Sequence, residues 1–127
     1  MLDCRQLDGW RIIADPDALD ATAWAPDHRV VRISPDDVFV IGGDEPVVAD
    51  PHAIITPEHG FLGADLTAAE VTHLDEHHIE WSLPSVRPTL SQGQVAGVPA
   101  KLVLDADGSA LLLVAAATSR DLIERLS

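Results

Sequence analysis

The sequence predicts an α+β protein: a mostly antiparallel sheet built from hairpins, with two main helices packed on one face. Three observations carry this expectation. Short runs of aliphatic and β-branched residues, such as Arg29 to Ile33 and Leu111 to Val114, alternate with clusters of Pro, Gly and Asp. Two stretches, opening at Thr67 and Thr118, carry helix-start chemistry followed by apolar residues at helical spacing. The 127 residues suit one hydrophobic core, so a single domain over 1–127 is expected.

Taken in order, Trp10 to Ala14 reads as a first strand, ended by Asp15-Pro16-Asp17, which opens a helical turn reaching Thr22. Arg29 to Ile33 and Val38 to Ile41 flank Ser34-Pro35-Asp36-Asp37 and so form a hairpin. Gly42-Gly43-Asp44-Glu45-Pro46 breaks that strand. Val47-Val48 and Ala53-Ile54-Ile55 are then short pieces of strand and loop between Asp50-Pro51 and Thr56-Pro57.

Thr67-Ala68-Ala69-Glu70 has capping-box spacing, in which the Thr hydroxyl accepts from a helix amide and the Glu carboxylate reaches back to the cap. On the helix that follows, Val71, Leu74, His78 and Trp81 share a packed face, with Glu70, His73, His77 and Glu80 as a solvated stripe beside it. Ser82 to Gly93, holding Pro84 and Pro88, reads as an extended connector. Gln94 to Leu104 and Ala110 to Ala116 flank Asp105-Ala106-Asp107-Gly108 as a second hairpin. Leu111 to Val114 is apolar on both faces and belongs in the sheet interior, whereas Pro99 implies a bend or an edge. Thr118 and Asp121 are expected to cap a last helix that buries Leu122, Ile123 and Leu126.

Charge and composition exclude some functions. Twenty-one acidic residues face eight basic ones, Lys101 is the single lysine, and the net charge is -13, which repels phosphate backbones. Two Phe, three Trp and no Tyr leave no base-stacking platform, so no nucleic-acid partner is expected. Cys4 is the lone cysteine, which rules out an internal disulfide or a thiolate cluster within one chain. No stretch has signal-peptide order or the length of a membrane span, so the expected setting is cytoplasmic, with no membrane partner.

Three motifs look chemical. His73-Leu74-Asp75-Glu76-His77 matches H-x-x-E-H, the pattern of the inverted zinc proteases, in which two imidazoles one helical turn apart hold the ion. The metal set expected on this stripe is His73, His77, Glu70 and Glu80; His52, Glu58 or His59 would join only if the fold brought them near. The chain is much shorter than those proteases and ends before their distant third ligand. Gly42-Gly43-Asp44-Glu45 resembles the signature turn of diguanylate cyclases, but Pro46 stands where that family has Phe and its upstream motif has no counterpart. Asp105-Ala106-Asp107-Gly108 opens like a calcium loop and then runs into Ser109-Ala110 and an apolar strand, so it reads as a turn.

Two stretches, Arg29 to Ile41 (RVVRISPDDVFVI) and Val95 to Leu126 (VAGVPAKLVLDADGSALLLVAAATSRDLIERL), together resemble the gamma subunit of heterotetrameric sarcosine oxidase and the related folate-binding domains of aminomethyltransferases. The resemblance covers about a third of the chain. It implies an antiparallel α+β module acting as a non-catalytic subunit or ligand-binding domain in folate-linked one-carbon metabolism, with folate as the implied ligand, and it assigns no residue to folate. Two readings follow. The first is a non-catalytic binding or assembly module with a protein partner or self-association, making contacts around Trp81 and Leu83. The alternative is a metal-binding protein or metal-dependent hydrolase that holds a divalent ion on the His73/His77 helix face.

Overall fold

The computed structural model describes residues 2–126. Among them are seven strands, namely β1 (Arg5–Ile13), β2 (Arg29–Ser34), β3 (Asp37–Ile41), β4 (Ile54–Leu66), β5 (Thr89–Val95), β6 (Val98–Leu104) and β7 (Ala110–Ala115), and three helices, α1 (Pro16–Asp20), α2 (Ala68–His77) and α3 (Ala116–Arg125). The pairings β1·β3, β2·β3, β4·β7, β5·β6 and β6·β7 are all antiparallel, as the hairpin chemistry predicts. The chain divides into two compact units, one of residues 7–59 and one of 2–6 with 60–126. The boundary falls inside β1 and β4, where no linker composition marks it.

In the unit of 7–59 the strand order is β2-β3-β1-β4. Ser34 to Asp37 makes the expected hairpin turn, and Asp15 caps α1 by accepting from the Asp17 amide, with Pro16 at the first helical position. Ile12, Ala14, Leu19, Val38 and Val40 form a buried cluster. Arg11 on β1 clamps this unit. Its guanidinium donates twice to Asp37 of β3, at 2.6 and 2.7 Å, and once to Glu58 of β4, at 3.1 Å. The hydrogen bonds to Asp37, foremost, hold the guanidinium charged.

In the unit of 60–126 the order is β4-β7-β6-β5. Leu111, Leu112, Leu113 and Val114 are all buried, as expected for an interior strand. Val71 and Leu74 of α2 and Leu122 of α3 join Leu66, Leu102, Leu104, Leu112 and Val114 in one cluster. The capping box is complete: Thr67 Oγ1 accepts from the Glu70 amide at 3.2 Å, and Glu70 Oε1 accepts from the Thr67 amide at 3.0 Å. Thr67→Ala is expected to cost about 1 kcal/mol in urea unfolding, most of it restored by Thr67→Ser.

Four local expectations need correction. The strand expected to stop near Ile55 runs on through Pro57, Gly60 and Gly63 to Leu66, because Phe61 to Leu66 pair with β7 and long-range pairing overrides weak local propensity. Gln94 to Leu104 is two strands rather than one, joined at Ala96 (φ 50°) and Gly97 (φ 80°) in a two-residue hairpin turn. This places Gly93 inside β5 and ends the connector at Pro88. Pro99 pairs with Gln94 of β5 but lies ahead of the β6–β7 register, which starts at Lys101, so it has a partner strand on one side only, in keeping with the edge its missing amide implies. Finally, α3 starts directly off β7 with Ala115 as its N-cap and no side-chain capping bond, which puts Thr118 and Asp121 inside the helix.

Candidate functional site

The Glu/His stripe turns out to be divided. α2 ends at His77, with His78 as its C-cap donating its amide to the Leu74 carbonyl. The helix stops there because the His78 carbonyl accepts from the Ala96 amide in the β5–β6 turn, at 2.8 Å, and the chain then lays Ile79 and Trp81 against β5. Trp81 Nε1 donates to the Gln94 carbonyl, and its indole lies so close over Gly93 that a Cβ there would meet ring atoms at 2.4–2.6 Å. Trp81 and Glu80, expected on the helix, are therefore beyond it. Trp81 and Leu83 are half-buried against the core, leaving Val86 as the exposed apolar residue of that connector, 81% accessible.

A groove of about 340 Å³ is lined by the apolar Leu2, Leu66, Leu74 and Leu126 and by Glu70, His73 and His78. Its volume is at the lower end of the range for small-ligand sites, and its mix of apolar lining and few polar groups is the usual one. The carboxylate of Glu70 is engaged in the capping box, so it is positioned but partly spent. His77 and Glu80 line a separate concavity with Trp81, Gln94 and Gly97, which His78 also borders. His78, read from the sequence as a packing residue, is thus the imidazole common to both hollows; only the termination of α2, a tertiary event, reveals it.

The other motifs and histidines make local contacts. Gly42 and Gly43 take positive φ in a turn after β3, leaving Asp44 and Glu45 exposed. His28 ties this turn to the preceding loop, accepting from the Ala25 amide at Nδ1 while Nε2 donates to the Asp44 carbonyl at 2.7 Å. In the 105–108 turn, Asp107 accepts from the Ser109 hydroxyl and amide, and these bonds, the hydroxyl first, hold its carboxyl below the usual carboxylate range. His59 and Asp8 pair at 2.8 Å, both more than half exposed, where such pairs are screened by water. His52 donates its amide to Asp50 in a turn. None of His52, Glu58 and His59 lines the hollows around α2.

Nucleophile chemistry is equally muted. Burial, and secondarily Asp3, pushes the Cys4 thiol up and away from the reactive thiolate. Thr22, just past α1, donates its hydroxyl to the Ala18 carbonyl of that helix, and Thr72, Thr118 and Ser119 donate theirs to carbonyls of their own helix or its N-cap residue. Among the described residues no group of three or more His, Cys, Asp or Glu side chains stands ready to grip a metal ion, and no helix is long and apolar enough to cross a membrane. Comparison with family models, curated proteins and solved structures found no match for this chain.

Proposed function

We propose that this protein is a non-catalytic binding module that holds its ligand in the groove between α2 and Leu126, the C-cap of α3. The observation that carries this reading is the groove itself, which four leucines line together with His73, His78 and Glu70. An apolar lining gains free energy from any apolar body laid on it, at roughly 25 cal/mol per Å² removed from water. The polar groups supply direction rather than affinity, through imidazoles that donate or accept. The ligand it suits is a small molecule, or one side chain of a partner, with an apolar body and a hydrogen-bonding head.

The resemblance to the sarcosine oxidase gamma subunit supports a partner of a definite kind, a larger enzyme of folate-linked one-carbon metabolism. Its support is local, resting on the 29–41 hairpin and the strand-turn-strand-helix order of β6, β7 and α3. Co-purification with a larger flavoprotein would favour that assembly, and a partnerless monomer would count against it.

The groove is tested by amide NMR with a panel of small aromatic and aliphatic carboxylic acids and amides. Shifts are expected at Ala69, His73, Leu74, His78 and Leu126, and Ala69→Trp, which fills the groove from the exposed side of α2, is expected to abolish them. Shifts elsewhere in the chain, or shifts unaffected by Ala69→Trp in a folded protein, would reject the reading.

A further inference from the structure

The last turn of α2 gathers three imidazoles that the groove reading does not use together. The ring centres of His73 and His77 are 4.5 Å apart, those of His73 and His78 are 5.9 Å apart, and those of His77 and His78 are 6.4 Å apart. We infer that His73 and His77 chelate a divalent transition ion, with His78 as a third, adjustable ligand and water completing the shell.

Ring spacing favours this. An imidazole nitrogen sits about 2.0–2.1 Å from zinc, which puts two ring centres on one ion about 4.5–5.2 Å apart for angles between square and tetrahedral. The His73–His77 pair is at that spacing before any ion arrives. His78 is about one ångström too far, measured against the same geometry. As they stand, no three such side chains among the described residues form a set that could hold an ion. Binding must therefore turn the rings, and His73 and His77 are exposed side chains that can do so without disturbing the core.

The electrostatics agree. His77 and the C-cap His78 stand at the carbonyl end of a ten-residue helix, whose dipole favours a cation, and His73 lies one turn earlier. α2 carries Glu70, Asp75 and Glu76 and no Lys or Arg, so nothing on it repels a divalent ion. Glu76 Oε2 lies 3.9 Å from His77 Nε2, too far to hydrogen-bond, and adds negative charge beside the pair. All-imidazole ligation suits zinc, nickel or copper rather than magnesium or calcium, which prefer oxygen.

The test is calorimetric titration of the full chain with zinc chloride in a non-chelating buffer, repeated with magnesium chloride. A saturable one-to-one zinc isotherm is expected, with none for magnesium. His73→Ala and His77→Ala should each weaken zinc by at least about tenfold, as loss of a ligand exceeds the effect usual for its outer partners. His52→Ala, in the other unit, should bind as the parent does. Alanine is a better helix former than histidine, so α2 should survive both changes, with circular dichroism as the check and His73→Gln and His77→Gln as second variants. The inference is overturned by absence of saturable zinc binding, by parent-like affinity in either His73→Ala or His77→Ala, or by an equal loss in His52→Ala.

Discussion

Replacing Gly9 with alanine is expected to destabilise the protein by upwards of about 3 kcal/mol, more than most surface or strand substitutions. Gly9 is a buried position of β1 opposite Ile41 on β3. A Cβ placed there would lie 2.0 Å from the Val40 carbonyl oxygen, 2.9 Å from its carbon and 3.0 Å from the Ile41 Cα. These are backbone atoms of the neighbouring strand, so no rotamer change relieves the contact. β1 would have to move away from β3, weakening the Gly9 to Ile13 ladder and opening the cluster of Ile12, Val38 and Val40. Urea unfolding checks the size of the loss; a midpoint equal to that of the parent would show that the strands can separate at no cost.

The second large effect lies in the other unit. Leu112→Ala is expected to cost about 2–5 kcal/mol, because a fully buried leucine leaves both lost transfer energy and a cavity. Leu112 is inaccessible, stands opposite Ala64 on β4 and Leu102 on β6, and belongs to the cluster that also takes Val71, Leu74 and Leu122. With rigid strands on both sides the hole cannot collapse well. Leu112→Met keeps the volume and should lose less than about 1.5 kcal/mol. Equal losses for Ala and Met would mean that shape, rather than volume, governs this position.

Local chemistry was readable where a short stretch contains both partners of an interaction. Thr67 and Glu70 are three residues apart, and their reciprocal hydrogen bonds could be expected from spacing alone. The same holds for the turns at 34–37 and 105–108. The candidate site was half readable: the i,i+4 placement of His73 and His77 follows from helical geometry, and their rings do meet. What could not be read was where α2 ends, since the His78 carbonyl finds its partner in Ala96, eighteen positions along the chain. That one bond moves Glu80 and Trp81 off the helix and puts His78 between two hollows.

The sequence by itself determined the α+β class, the antiparallel hairpins, the start of α2 and the acidic character. Each depends on residue type and on neighbours a few positions away, through dihedral preference, capping and net charge. Tertiary structure alone decided that β4 extends through glycines and a proline, that β7 lies between β4 and β6, and that Leu2, Leu66 and Leu126 meet the imidazoles of α2 in one groove. Hydrogen bonds and apolar contacts between distant segments leave no periodic trace in either segment, so only the folded chain brings those side chains together.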